Sequence, residues 1–206
     1  MSEENDEQDI DQQFDPLAGG VEVRVESGDL GDGQFHSLDL PSELPILPLK
    51  NTVLFPFLLS PLLVNTSASQ KLIDDVLLRP DRLLVCAALQ NETEETPRGD
   101  DIFKLGTVLR VVKMLKFPDE SYRLLVQGVA RVQIDAVMED GPYLRAAIEP
   151  VTESGDLDSV EVEALTRNVS QQFGMLVSET ARLSDDLQVL VSNLDDPSKL
   201  ADLVAS

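Results

Sequence analysis

Much of what side-chain chemistry usually requires is scarce in this chain. Its 206 residues include one histidine, one cysteine and no tryptophan. The histidine, His36, lies beside Phe35 in a glycine-rich acidic stretch. That leaves neither a His-centred triad nor a multi-histidine metal site, and His36 reads as a solvated linker residue. A lone cysteine excludes a disulfide within the chain, and the setting of Cys86 in Leu83-Leu84-Val85-Cys86-Ala87-Ala88-Leu89 reads as a small buried apolar residue. Basic residues are few, 16 against 38 acids, for a net charge of −22. Nucleic-acid binding starts from clustered Lys and Arg that neutralise phosphates; here Lys104, Arg110, Lys113 and Lys116 are spaced along a strand region as solvated faces, so the charge argues against nucleic acid and none is expected as a partner of this domain. No apolar run reaches the roughly 18 residues of a membrane helix, because Val53 to Val64 is broken by Pro56, Ser60 and Pro61. The start, MSEENDEQDIDQQFD, has neither an apolar signal core nor an Arg-rich amphipathic pattern. A cytoplasmic location without membrane contact is the expectation.

Motifs for catalysis are also lacking. No glycine-rich loop ends in Gly-Lys-Ser/Thr, so no lysine and backbone amides surround a nucleotide phosphate. Glu92, Glu94, Glu95, Asp100 and Asp101 crowd the loop Gln90 to Asp101, but without a fixed turn frame or histidine partners they read as solvated carboxylates. Neither a catalytic residue nor a cofactor or metal site is assigned.

What is present divides the chain into three. Residues 1–43 hold thirteen acids against Arg24, a net −12 that leaves −10 for the rest. So little apolar surface cannot offset the entropy of ordering, and a disordered acidic tail is expected, with Val21-Glu22-Val23-Arg24-Val25 alternating like a short strand. Residues 44–152 read as a β-rich lobe. In Leu44–Val64, Pro45, Pro48, Pro56 and Pro61 forbid a continuous helix and predict short strands at Ile46–Leu49 and Leu62–Val64. Ser67 with Gln70 forms a capping-box pattern for a helix over 68–78, and a strand follows at Leu83–Leu89. Strand patterns then recur over Leu105–Lys116, Arg123–Val126, Val129–Ile134 and Tyr143–Ile148, with a turn at Pro118-Asp119 and a corner at Gly128. Residues 153–206 read as helical. Asp158 and Glu161 cap a helix reaching about Leu183, with Val162, Leu165, Val169, Phe173, Leu176 and Val177 at helical spacing. Ser184 caps a second over 185–191, and Asp196-Pro197 starts a third over 198–205. The fold class is α+β.

The wording LP-x-LPLK-NTVLFP from Leu44, then Leu105-Gly106-Thr107-Val108, Phe117-Pro118-Asp119 and Leu125 to Val132, resembles the amino-terminal substrate-recognition domain of Lon, the ATP-dependent serine protease. Asn193 to Asp202 resembles the helical part that leads onward to the ATPase of that family. Phe57 departs from the pattern, standing where Lon proteins often carry a glycine or another residue. The resemblance implies a PUA-like β pseudobarrel followed by a truncated helical lobe. It implies a noncatalytic domain that recognises unfolded, damaged or degron-bearing polypeptides, helps hexamer assembly and delivers substrates to missing ATPase and protease domains. ATP and Mg are implied for the missing ATPase domain, none for this fragment. The alternative is a free-standing Lon-domain peptide-binding module without a protease of its own. Val53, Leu54, Phe55, Phe57, Leu58, Leu59, Met114, Leu115 and Phe117 are more apolar residues than two short strands bury on one face. Phe55, Phe57, Leu58, Met114 and Phe117 are therefore the expected border of a polypeptide-contact surface.

Overall fold

Two prolines shape the first strand in the computed structural model, which describes residues 40–91, 96–152, 154–180 and 185–206. The tail over 1–39, the Glu92, Glu94 and Glu95 group and the Ser184 cap lie outside the described residues. β1 (Glu43–Leu49) is extended, as Pro45 and Pro48 require, and runs parallel to β3 (Leu83–Ala88) and antiparallel to β6 (Arg145–Pro150). β2 (Leu59–Val64) pairs with β5 (Tyr122–Met138), which also pairs with β4 (Leu105–Lys116) and β6. The order is β2-β5-β4-β3-β1-β6 with β6 returning to β5. Five strands thus close a ring, and β2 extends it along the amino-terminal half of β5.

The architecture is mixed α/β, and the sheet is buried on both faces. Inside the ring, Ile46, Val85, Val108, Val132, Ile134 and Ile148 form one core cluster. On the other face, Leu47, Leu84, Leu109 and Leu124 pack against Leu72, Ile73 and Val76 of α1 (Ser67–Leu77). Alternation across the strands explains both clusters, since Leu84 and Cys86 face one way and Leu83, Val85 and Ala87 the other. Each fully buried aliphatic side chain of α1 contributes about 1.5–3 kcal/mol of transfer free energy. Burial of Cys86 pushes its thiol up to about 12, so it stays protonated at neutral pH.

Local signals shift by small steps from the sequence expectations. The α1 cap is Thr66, whose hydroxyl accepts from the Ser69 amide, and the Gln70 side chain donates to the Glu120 carbonyl at 2.7 Å instead of closing a capping box. α2 (Val160–Glu179) is capped by Ser159 rather than Asp158. β5 is one strand through Gly128, where two expected strands merge across a bulge. α3 (Asp185–Ser192) precedes α4 (Pro197–Ala205), and Asp196 caps α4 by accepting from Ser198 and Lys199 amides. Among the described residues no helix is long and apolar enough to cross a membrane.

The helices after β6 rest on the β lobe through one small cluster. Leu200 and Leu203 of α4 and Val191 of α3 bury Leu58, with Phe55 and Phe173 packed at its edge. Arg131 of β5 donates to the buried Asp202 carboxylate of α4 at 2.5 Å, an ion pair between the two lobes. Lys199 stands over the Phe57 ring, 5.1 Å from its centroid.

Candidate functional site

The connection between β1 and β2, Lys50 to Leu58, carries the candidate surface, and its shape is set by two strands it crosses. Thr107 in β4 donates its hydroxyl to the Leu54 carbonyl at 2.7 Å, a buried bond. Gly128 at the β5 bulge donates to the Leu58 carbonyl and accepts from the Phe57 amide, both at 2.9 Å. A Cβ on Gly128 would lie 2.1 Å from the Phe55 carbonyl oxygen, so only glycine lets the connection lie this close to the strand. The price of the tight path appears at Phe57, whose φ of 66° is in the left-handed region.

Beside the connection lies an apolar groove of about 280 Å³. Its lining includes Val53, Phe55, Ala87, Phe103, Leu105 and Arg131. Val53 is 62 % exposed, Phe103 52 % and Leu105 51 %, whereas Leu54 beneath them is buried. Three large apolar side chains facing water around one concavity form a surface that a partner's apolar side chains would cover. Gly106, also in the lining, lets β4 lie close to β3, since a Cβ there would lie 2.7 Å from the Cys86 carbonyl oxygen. Arg131 is held by Asp202, so this charged member of the lining is fixed by the helical lobe.

The five residues expected from the sequence fall in two places. Phe55, Phe57 and Leu58 sit together at the joint between the lobes: Phe55 lines the groove and touches the helical cluster, Phe57 lies under Lys199, and Leu58 is buried. Met114 and Phe117 lie at the distant end of the β4–β5 hairpin. Met114 packs against the core cluster with Leu124, and the Phe117 ring lies 4.1 Å from the Arg123 guanidinium carbon. Leu58 and Met114 thus spend their apolar surface inward.

Val53, Phe103 and Leu105 were not singled out as a site by the sequence, and the reason is their separation. Phe103 and Leu105 stand some fifty positions after Val53 and meet it only because β3 and β4 bring the strand ends beside the β1–β2 connection. The one available signal was the surplus of apolar residues in Val53 to Leu59. No group of three or more metal-ligating side chains occurs among the described residues.

Comparison with known proteins places this geometry. A family model described as the ATP-dependent protease La (LON) substrate-binding domain matches residues 43–206. The Lon protease of Trichlorobacter lovleyi is 35 % identical over 171 residues, 83 % of this chain and 21 % of that protein. That of Anaeromyxobacter dehalogenans is 38 % identical over 168 residues, 82 % of this chain and 20 % of its own length. The chain spans about a fifth of the length of these relatives. The solved amino-terminal domain of Mycobacterium avium complex Lon protease superposes with a TM-score of 0.64 at 21 % identity, covering 78 % of this chain and 80 % of that one. The Lon N-terminal domain protein from Xanthomonas campestris gives 0.51 at 18 % identity, covering 80 % and 98 %. These two likenesses concern the fold.

Proposed function

We propose, on the premise that this chain belongs to the Lon substrate-binding domain family as its match over 43–206 shows, that its apolar groove holds side chains of unfolded or degron-bearing polypeptides. The observation that carries the reading is that exposed Val53, Phe103 and Leu105 line one apolar groove. Misfolded chains display the complementary chemistry, and burial of such surface is non-directional, which suits a receptor for many sequences. In this reading Phe55 contacts the polypeptide, Phe57 and Leu58 hold the connection in place, Met114 anchors the hairpin, and Phe117 belongs to a separate face. The closed strand ring supports a PUA-like pseudobarrel for 44–152, followed by the helical lobe of 153–206.

The wider role is carried over from the relatives, which are Lon proteases. The domain serves as the noncatalytic cytoplasmic receptor of an ATP-dependent serine protease, delivering polypeptides to ATPase and protease domains and helping hexamer assembly. ATP and Mg act in those other domains. The reading is tested by titrating the chain with a reduced, carboxymethylated protein that cannot refold while following its methyl resonances. Val53, Leu105 and Leu54 shift first if the groove is the receptor; shifts confined to other surfaces overturn it.

A further inference from the structure

Two strand edges in the β lobe are open, and they are not equivalent. β2 exposes an edge that carries Pro61, which removes a donor and blunts pairing. β4 ends its pairing with β3 at Arg110, Val111 donates a last bond to the Arg82 carbonyl, and from Val112 to Lys116 the side away from β5 meets no strand among the described residues. The Phe117 amide donates to the Ser121 carbonyl, which sets the alternation of the hairpin. Antiparallel pairing then turns the backbone groups of Lys113 and Leu115 toward β5 and those of Met114 and Lys116 toward the open side.

Register and charge set what this edge can accept. Leu109, Val111 and Met114 face the core cluster under α1, whereas Arg110, Lys113 and Leu115 face the opposite way across the bulge at Val112. On that opposite face Leu115 opposes Arg123, which opposes Leu63 of β2. Leu63 is 59 % exposed and Leu115 46 %. Residues 110–123 hold Arg110, Lys113, Lys116 and Arg123 against Asp119 and Glu120, a net +2 that leaves −24 for the rest of a chain of −22. Lys116 and Arg123 stand over the Tyr122 and Phe117 rings, and the Asp119 carboxylate accepts from the Ser121 amide and hydroxyl. Arg110 and Lys113 are exposed and form no ion pair among the described residues.

A strand laid beside β4 would meet these side chains in a fixed order. From Lys113 to Lys116 the edge presents a cation, the half-buried Met114, the exposed Leu115 and a second cation. Side chains directly opposite one another across paired strands lie about 4.5–5.5 Å apart, where opposite charges attract and apolar pairs lose water together. The complement is therefore acid, apolar, apolar, acid, an order that reads the same whichever way the added strand runs. A nucleic acid would neutralise the cations but leave Leu115, Leu63 and the open carbonyls of β4 without a partner.

We infer that the open edge of β4 takes up, as an added strand, a segment of another polypeptide in which two apolar residues stand between two acids. The surface lies apart from the groove and does not depend on the groove being a receptor. The test titrates the full chain with the blocked peptide Gly-Ser-Glu-Val-Val-Glu-Ser-Gly and follows backbone amide resonances. Those of Met114 and Lys116 should shift most and exchange at least threefold more slowly, while those of Ile148 and Leu203 stay in place. The same peptide with lysines for its glutamates should shift them at least threefold less, and methylation of both valine nitrogens should remove the shifts by removing the strand's donors. An Arg110→Glu/Lys113→Glu variant should lose the preference for the acidic peptide, with unmoved Ile148 and Leu203 resonances showing its fold intact. A Val53→Ser/Phe103→Ser variant should keep that preference, so failure of the groove reading and failure of this inference are told apart. Absence of shifts at Met114 and Lys116, shifts centred on Val53 and Leu105, indifference to peptide charge, or equal shifts with a single-stranded oligothymidylate would overturn the inference.

Discussion

The β lobe and the helical lobe are built on opposite economies of apolar surface. In the β lobe a single sheet is covered on both faces, and Ile46, Leu84, Ile73 and Ile134 are all but inaccessible. In the helical lobe the 20-residue α2 buries only Val177, while Leu165, Met175 and Leu176 remain exposed. The β lobe therefore carries its stability internally, whereas the helical lobe is held by a few side chains around Leu58 and by Arg131 to Asp202. The groove lies beside the place where the two meet, since its lining residues Phe55 and Arg131 also touch the helical lobe.

The sharpest break in this comparison comes from truncating the inner core. Leu84→Ala leaves a cavity in a close-packed sheet and should cost about 2–5 kcal/mol, read as a lower midpoint in urea for the whole β lobe. Next is Asp202→Ala, which leaves the partly buried Arg131 guanidinium without its carboxylate and should cost about 1–3 kcal/mol. Hydrogen exchange should show that loss in α3 and α4 while β1, β3 and β4 keep their protection. Exchange accelerating equally in both lobes would mean they unfold as one unit.

Smaller effects are expected where the helical lobe faces water. Leu165→Ala and Leu176→Ala should each change stability by less than about 0.5 kcal/mol, although sequence spacing places both on one stripe with Phe173. The smallest effect concerns acid. Asp75 accepts from Lys71 and Tyr143, and the Lys71 bond foremost holds its carboxyl below the usual value. A carboxyl lowered in the folded state stabilises above its unfolded pKa and loses that contribution as pH falls through the folded value. Asp75→Asn should therefore flatten the stability profile slightly below about pH 4, and thermal melts from pH 5 to pH 2.5 would detect it.

The two lobes also differ in how far sequence reaches. The Pro118-Asp119 turn between two β-patterned runs and the Asp196-Pro197 cap are local signals, and the hairpin and α4 form where they point. Adjacent candidates blur such signals: Thr66 caps α1 next to Ser67, and Ser159 caps α2 next to Asp158. Gly128 was legible as a corner, but its reason, the close path of Phe55 and Pro56, is a long-range contact. Apolar spacing in α2 identified the helix without revealing that Leu165, Val169 and Leu176 of its stripe are exposed among the described residues. For the same reason the surplus of apolar residues near Phe55 did not reveal which of them the fold covers: Leu58 is buried in the cluster between the lobes and Met114 packs against the core.

The most direct measurement is the affinity of the intact chain for a fluorescent, permanently unfolded polypeptide, compared with a Val53→Ser/Phe103→Ser variant. Both side chains are more than half exposed, so the variant should melt within a few degrees of the parent. Loss of two apolar contacts worth about 1 kcal/mol or more each predicts affinity at least tenfold weaker. Unchanged affinity at an unchanged melting temperature would contradict the groove as the polypeptide receptor.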